Sequence, residues 1–227
     1  MFGQAKHKIL LLSVIISTIF SSCTEVEIAY SSFEINGKTQ GTTYSIIIVD
    51  ENVNVSKGEI DSIFTRFDNS LSTYVSNSVI SKLNMGLGIT RVNDESGFFK
   101  RCYQISQKVY AKSNGAFDPS VFPLVKGWGF MTNVESPLSQ QEVDSILHFV
   151  SFSQGVLHEV TFDENAIELT KKNSNFKLDF NAIAQGLSVD VIDEFLKQKG
   201  YKNYYIEIGG ELIVRGHNRE GENWRIG

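Results

Sequence analysis

The sequence predicts an α+β fold, and the roughly 200 residues after the N-terminal segment suffice for one large domain or two small ones. Runs rich in β-branched residues, such as 42–49, occur between segments whose apolar residues recur with a helical period, such as 56–71. Strands and helices do not alternate strictly, as the repeating units of a parallel sheet would.

The first strand is predicted over 33–37, ending in an Asn-Gly turn, and the second over 42–49. A helix is predicted over 56–71 because its apolar residues lie three or four positions apart. Ser56 and Glu59 have the spacing of a capping box, which fixes the start of this helix. The apolar positions are Ile60, Ile63, Phe64, Phe67 and Leu71.

A second amphipathic helix is predicted over 97–113, where an Asn-Gly pair then stops it. Its expected buried face consists of Phe98, Cys102, Ile105 and Val109. A third helix, predicted to end at Leu147, begins with a second capping box formed by Ser139 and Glu142.

The second half of the chain is predicted to contain short strands, a long helix and a hairpin. The strands are expected over 155–158, 159–162, 167–170 and 176–179. The helix runs from 183 to 199, Gly200 caps it, and its inner face carries Ala184, Leu187, Val191, Ile192 and Phe195. The hairpin joins 204–208 to 211–214. Residues 223–227 begin another strand with no closing turn, so we expect a missing C-terminal part.

The N-terminus is predicted to be a lipoprotein signal peptide over 1–22. A basic start precedes the apolar run 9–20, which is too short to span a bilayer, and Cys23 follows two serines. Lipidation of Cys23 would leave residues 23–32 as a tether and 33–227 as the folded domain. The expected location is outside the cytoplasmic membrane, facing the periplasm or the cell exterior. The alternative is an ordinary signal peptide with an incidental cysteine.

Composition excludes several classes of function. The net charge is −5 and no basic patch is evident, so nucleic acid is not an expected partner. The sequence has no Walker loop, no Gly-x-Ser-x-Gly elbow and no His or Cys pattern with transition-metal spacing. Any metal would therefore be a hard, oxygen-ligated ion such as Mg²⁺. Cys102 is expected to be a buried, inert thiol, and His148, His158 and His217 to be exposed or hydrogen-bonded.

Two segments in the first half carry candidate binding residues. Thr39-Gln-Gly-Thr-Thr-Tyr-Ser45 is a glycine and hydroxyl cluster, although a turn before a Thr-rich strand is the better explanation when this segment is taken alone. Phe67-Asp-Asn-Ser-Leu-Ser-Thr-Tyr74 puts an aromatic ring just beyond a helix, where it would stack on a planar ligand or pack in the core.

Two further segments lie in the second half. Residues 114–130 combine glycine, proline and aromatic residues as a pocket-lining loop does, although Asp118 also suits a helix cap. Residues 179–190 join a predicted strand end to a helix start, where unpaired N–H groups attract anions. With Asp179 beside them, these groups suit a nucleotide, with or without a metal. The alternative is a bare connection capped by Asp179.

In this order, and followed by Glu207-Ile-Gly-Gly-Glu211 and Asn223-Trp-Arg-Ile-Gly227, the four segments resemble the FAD:protein FMN transferases, the ApbE-like flavin transferases. The resemblance covers about residues 37–227. The fold it implies is a single mixed α+β domain in which helices pack on largely antiparallel sheets. The activity it implies cleaves FAD at the pyrophosphate, transfers FMN to a Thr or Ser hydroxyl of a partner protein, and releases AMP. The resemblance also implies a requirement for Mg²⁺ and agrees with a membrane-anchored lipoprotein.

The resemblance assigns roles residue by residue. The FAD contacts it implies are Gln40, Tyr74, Ala116, Phe117, Asp118, Asp179 and Gln185. Gln40 stands where the family usually has Met, and Gln185 where it usually has Lys or Glu; both keep hydrogen-bonding ability. The carbonyl of Ala182 is implied as a metal ligand. The other metal ligands and a His proposed as the base belong to the part of the family pattern beyond Gly227.

Three other functions remain open from the sequence. One is a lipid-anchored flavin-binding protein without catalysis, and another is an Mg²⁺-dependent FAD pyrophosphatase that yields FMN and AMP. The third, an adhesin-like surface domain, predicts no flavin binding.

Overall fold

The computed structural model describes residues 30–130 and 136–227. Over these residues it has seven strands and six helices. The strands are β1 (Ser32–Thr39), β2 (Thr42–Val49), β3 (Ile89–Asn93), β4 (His158–Phe162), β5 (Ala166–Lys171), β6 (Tyr204–Ile208) and β7 (Glu211–Arg215). The helices are α1 (Lys57–Leu71), α2 (Val79–Met85), α3 (Phe98–Lys112), α4 (Phe122–Gly127), α5 (Gln140–Leu147) and α6 (Asn181–Gln198).

The strands form two antiparallel sheets. The four-stranded sheet has the order β1-β2-β6-β7, and the three-stranded sheet has the order β3-β5-β4. Every neighbouring pair is antiparallel. The predicted α+β fold with largely antiparallel sheets is therefore confirmed. Because β2 pairs with β6, the β1–β2 turn and the β6–β7 turn lie at the same end of the larger sheet.

Helices α1 and α6 provide much of the core beside the larger sheet. α6 packs on β6 and β7, and α1 contacts β1, α3 and α6. The inner faces of these elements are apolar and almost fully buried, which is the main stabilising contribution to such a fold. They contribute Ile46, Ile48, Phe64, Phe67, Leu187, Ile192, Ile206 and Ile208.

Local sequence explains the helix ends. Both capping boxes are confirmed: the hydroxyl of Ser56 accepts from the Glu59 N–H, and Ser139 does the same with Glu142. The buried face of α3 differs from the prediction. It consists of Phe99, Cys102, Tyr103 and Ser106, because Phe99 and Tyr103 join an aromatic cluster with Phe180.

Two predicted strand ends are wrong. β1 continues through Gly37 to Thr39, since the Asn-Gly pair lies inside the ladder and Gln40-Gly41 makes the turn. Residues 155–157 form a turn rather than a strand. Gly155 has φ +85° and its N–H donates to the carbonyl of His158, which closes the turn before β4.

The strand predicted over 176–179 is also absent from the described structure. Its backbone bonds go elsewhere: the Asn84 side chain bonds both the N–H and the carbonyl of Leu178, and the Asp179 N–H donates to the carbonyl of Pro119. A buried extended segment is thus satisfied without a neighbouring strand. Near the C-terminus, 223–227 forms a single bridge from Asn223 to His217 rather than a strand.

The predicted signal peptide, Cys23 and the tether up to residue 29 lie outside the described residues. β1 begins at Ser32, the last residue of that tether. Within 30–130 and 136–227, no helix is both long and apolar enough to cross a membrane. Cys102 is fully buried, as predicted, and burial raises the pKa of its thiol.

Candidate functional site

A cleft of about 510 Å³ opens where three parts of the chain meet. The β1–β2 turn forms one wall, the last turns of α1 with the loop after it form the second, and the first turns of α6 form the third. The lining residues are Gln40, Gly41, Phe67, Asp68, Leu71, Ser72, Tyr74, Asn181, Ala184 and Gln185. The cleft therefore has an apolar floor, one exposed aromatic ring and several amide groups.

The β1–β2 turn presents Gln40 to the cleft. Gln40 and Gly41 both have positive φ, +51° and +75°, as the two central residues of a type I′ hairpin turn require. The Nε2 of Gln40 is buried and has no hydrogen-bond partner among the described residues. A buried donor without a partner is unfavourable, so a bound ligand toward which this amide turned would satisfy it.

The loop after α1 holds Tyr74 with its ring in solvent. The hydroxyl of Ser78 donates to the carbonyl of Ser72 at 2.7 Å, and the Tyr74 N–H donates to the Ser72 hydroxyl at 3.2 Å. These bonds fix the backbone while Tyr74 itself stays 64% exposed. The core-packing alternative for Tyr74 is thereby excluded, and its ring is free to stack on a planar group.

Gln185 belongs to the first turns of α6, and its side chain lies against the β6–β7 turn, close to the start of β2. A Cβ built on Gly209 would overlap the Gln185 amide nitrogen and lie 2.7 Å from the Thr42 methyl group. Gly209 also has φ +57°, and its N–H donates to the carbonyl of Thr43. The glycine at this position therefore lets the β6–β7 turn approach the cleft wall closely.

Asp179 closely precedes α6, and neither Asp179 nor Ala182 is among the described residues that line the cleft. Asp179 is buried; its two carboxylate oxygens accept from the backbone N–H of Asn181 at 2.7 Å and from the side-chain amide of Asn181 at 3.2 Å. Burial raises the pKa of Asp179, and the Asn181 N–H opposes that shift. Asp179 thus orients the first residue of α6, whose side chain lines the cleft. Ala182 lies in the same turn.

The loop 116–118 adjoins this region but does not line the cleft. The carboxylate of Asp118 accepts from the N–H and hydroxyl of Ser120 at 2.8 and 2.5 Å, and from the N–H of Phe152 at 3.1 Å. Ala116 is exposed and Phe117 half-buried. The bond from Asp179 N–H to the carbonyl of Pro119 ties this loop to the start of α6.

The comparisons with known proteins agree with this geometry. The model of the ApbE family matches residues 40–227. The chain belongs to the ApbE family. Proteins named FAD:protein FMN transferase from Haemophilus influenzae and Vibrio cholerae are 29% and 30% identical to this chain over 199 residues. Each alignment covers 85% of this chain and 57% of the relative.

A solved structure of the flavin transferase ApbE from Vibrio cholerae superposes with a TM-score of 0.77 at 28% identity, covering 87% of this chain and 63% of that one. The ApbE fold is therefore shared. This ApbE-family chain spans a little over half the length of the curated relatives named above.

Sequence reasoning found three of the residues that line the ApbE-family cleft: Gln40, Tyr74 and Gln185. It missed Phe67, Asp68, Leu71 and Asn181, among others. Phe67 and Leu71 were assigned to the core by their helical spacing, and they do pack there while their edges face the cleft. Asp68 lies inside the segment ending at Tyr74, but nothing local in the sequence separates it from an ordinary solvated acid.

Proposed function

We propose that this chain binds FAD in the cleft and, with Mg²⁺, transfers its FMN half to a Thr or Ser hydroxyl of a partner protein, releasing AMP. The observation that carries the proposal is the convergence of Gln40, Tyr74 and Gln185, which are far apart in sequence, on one cleft. Relatives that bear the name FAD:protein FMN transferase supply the reaction class.

The cleft residues have the chemistry that a flavin dinucleotide requires. The exposed ring of Tyr74 is available to stack on a flat heterocycle. The amides of Gln40 and Gln185 each donate and accept hydrogen bonds, which suits the edge of such a ring or the sugar hydroxyls. The N–H groups of Asn181, Ile183 and Ala184 already donate within the chain, so the start of α6 would favour the negative diphosphate through its helix dipole.

The proposed transfer is a phosphoryl displacement. The acceptor hydroxyl oxygen attacks the phosphorus of the FMN phosphate, and a new phosphodiester forms as the hydroxyl gives up its proton. The bond from that phosphorus to the bridging oxygen breaks, and AMP leaves with the bridging oxygen. Catalysis of such a displacement depends mainly on positioning and charge stabilisation, which a cleft that fixes both ends of FAD provides.

The donor set near α6 is compatible in kind with Mg²⁺. The carboxylate of Asp179 and the carbonyl of Ala182 are hard oxygen donors. Residues 30–130 and 136–227 contain no group of three or more His, Cys, Asp or Glu side chains arranged for a metal ion. By the family resemblance the remaining protein ligands lie beyond Gly227, and phosphate oxygens and water would add to them. Such an ion would neutralise charge on the diphosphate.

Export and lipid anchoring are also part of the proposal, and they rest on residues 1–23 of the sequence. Expression with a labelled fatty acid is expected to label the chain, whereas a Cys23→Ser variant should carry no label. Labelling that persists in the variant would contradict acylation at Cys23.

The deciding experiment incubates the purified chain with FAD, Mg²⁺ and a candidate acceptor domain. Covalent flavin on the acceptor together with free AMP supports the transferase. Free FMN and AMP without labelled acceptor would identify an FAD pyrophosphatase, and bound, intact FAD would identify a flavin-binding protein without catalysis. An absence of any flavin binding would overturn all three and leave the adhesin-like alternative.

Asp179 offers a test within the same assay. We expect Asp179→Ala to slow AMP release at least tenfold, because the first turn of α6 loses the carboxylate that holds Asn181. The control is Glu164→Ala in the exposed β4–β5 turn, which should leave the rate unchanged. Unchanged turnover in Asp179→Ala, with the fold intact by circular dichroism, would remove Asp179 from the site.

A further inference from the structure

Asp68 differs from the other enclosed acids of the described structure. It lies in the last turns of α1 and lines the cleft. Its carboxylate makes no hydrogen bond or ion pair with the residues described, and burial raises its pKa. Asp94, by contrast, accepts three hydrogen bonds, from Ser70, Ser96 and Phe99. Half-buried carboxylates are normally paired, so the exception needs an explanation.

The surroundings of Asp68 point to a ligand rather than a structural partner. Within residues 30–130 and 136–227, Asp68 is the only charged side chain that lines the cleft. No second carboxylate lies there to make a cation site with it. The β1–β2 turn adds Gln40 to the polar lining, and the first turns of α6 add Asn181 and Gln185. An ionised carboxylate accepts hydrogen bonds only, so its complement is a group that donates.

Resting on the proposed function, we propose that Asp68 is a specificity-determining residue that accepts a hydrogen bond from a hydroxyl or ring N–H of the bound dinucleotide. Its negative charge disfavours the diphosphate beside α1, while the positive end of the α6 dipole favours it across the cleft. Asp68 therefore fixes the direction in which the dinucleotide lies.

Both halves of FAD carry donors of this kind. The flavin half has ribityl hydroxyls and an imide N–H, and the adenosine half has ribose hydroxyls and an amino group. The shared chemistry is a neutral donor attached to an uncharged part of the molecule. Ligands that contain only one half separate the two sources.

The test measures dissociation constants of FAD, riboflavin and ADP for the wild-type chain and for Asp68→Ala, Asp68→Asn and Asp68→Glu. Asp68→Ala should weaken FAD binding about ten- to a hundredfold, the range for a lost hydrogen bond to a charged group. Asp68→Glu, which keeps the charge, should recover part of the affinity. Glu164→Gln, an exposed acid in the β4–β5 turn, is the matched control and should bind like the wild type.

Riboflavin and ADP, which each contain part of one half of FAD, identify the group that donates to Asp68. A loss confined to FAD and riboflavin assigns Asp68 to the flavin half, and a loss confined to FAD and ADP assigns it to the adenosine half; either supports the proposal. Equal affinities in Asp68→Ala and the wild type would overturn it. A wild-type chain that does not bind FAD would instead refute the proposed function.

Thermal unfolding separates binding from a structural role. Because the carboxylate is desolvated without a partner, Asp68→Asn should leave the melting temperature of the free chain unchanged or raise it. A uniform loss of affinity for all three ligands, accompanied by a lower melting temperature, would show that Asp68 supports the fold and would overturn the inference.

Discussion

His158 shows how a single buried residue links this fold to pH. The imidazole is fully buried and stacks on Phe176, with ring centroids 4.2 Å apart, and on Phe152 at 5.4 Å. Its Nε2 lies 3.0 Å from the Tyr103 hydroxyl, and its Nδ1 has no partner in the described structure. The sequence predicted an exposed or hydrogen-bonded histidine; only Nε2 is hydrogen-bonded. Burial lowers the pKa of His158 to about 4.

The pKa shift predicts acid sensitivity. Below the ordinary pKa of 6.5, the unfolded chain binds a proton that the folded chain does not. The contribution of the neutral, buried His158 to the free energy of unfolding is therefore complete above pH 6.5 and is lost as the pH falls towards about 4. Replacing His158 by Phe should remove this pH dependence of the unfolding free energy, which amounts to about 2–3 kcal/mol between pH 6.5 and about pH 4.

The measurement is urea unfolding of wild type and His158→Phe at several pH values from 7 to 4.5. The matched control is His148→Gln, since His148 is an exposed residue just beyond α5 and should leave the slope intact. Identical slopes for wild type and His158→Phe would contradict the account of this site.

Gly209 lies in the β6–β7 turn and packs against Gln185, a residue that lines the cleft. We expect Gly209→Ala to destabilise the chain by about 1–3 kcal/mol, because φ +57° is strained for Ala and the added Cβ would displace Gln185 or Thr42. It should also weaken FAD binding. Gly210→Ala is the control: it has φ +97° but nothing within 4 Å of the added Cβ. Equal FAD affinities for the two variants would refute a role for Gln185 packing.

Among the elements, α6 has two roles at its two ends. Its first turns line the cleft, and its later turns are fastened to β6 and β7 by Asp193. The buried carboxylate of Asp193 accepts from Tyr204 at 2.8 Å, from Lys197 at 2.6 Å and from Arg215 at 3.0 Å. Burial raises the pKa of Asp193, but these hydrogen bonds outweigh it and lower the pKa to about 2.

Asp193→Asn should therefore cost about 2–4 kcal/mol of unfolding free energy at pH 7. The amide keeps one acceptor oxygen, but its nitrogen cannot accept the hydrogen bonds of Lys197 and Arg215, and Arg215 loses its ionised partner. The variant should also lose less stability than the wild type below pH 4, because the wild-type contribution is present above the ordinary pKa of 3.8 and disappears as the pH falls to about 2. Chemical denaturation measures both.

The comparison is Glu222→Gln, which removes an exposed ion pair with Arg225 and should change the free energy by less than about 0.5 kcal/mol. Equal losses of unfolding free energy in the two variants would show that the buried hydrogen bonds of Asp193 stabilise the fold no more than an exposed ion pair does.

The sequence predicted the elements whose ends are marked by capping or turn residues next to them. The capping boxes and helical spacing located α1 and α5, and Gly209-Gly210 located the β6–β7 turn. It missed α2, α4 and β3, which have seven, six and five residues, too few for a period to be recognised. α4 lies within residues 114–130, which were expected to form a loop. It failed at 176–179 because the Asn84 side chain, distant in sequence, satisfies that backbone.

The candidate site was predicted in part for the same reason. Gln40, Tyr74 and Gln185 were identified through motifs, and they converge as expected on one cleft. Loop 116–118 was expected to contact the same ligand, yet the hydrogen bonds of Asp118 are all internal in the described structure. Asp68 could not be identified, because its lack of partners exists only in the folded chain.

At the scale of the whole molecule, the fold brings two hairpin turns and two helices to one place. β2–β6 pairing aligns the turns, and the packing of α1 against α6 closes the remaining walls. FAD bound there would contact elements from both halves of the chain, so it should stabilise the fold as a unit. At a hundredfold excess over its dissociation constant, a ligand of the native state adds about 2.7 kcal/mol.

The central claim is that this cleft binds FAD, and a titration of Tyr74→Ala tests it most directly. Flavin fluorescence is followed as wild type, Tyr74→Ala and Tyr30→Ala are added, Tyr30 being a second exposed tyrosine that does not line the cleft. We predict that Tyr74→Ala weakens binding about tenfold or more, since stacking on an aromatic side chain contributes roughly 1–3 kcal/mol per base. Tyr30→Ala should bind like the wild type. Equal affinities for all three proteins, or no saturable binding by the wild type, would contradict the claim.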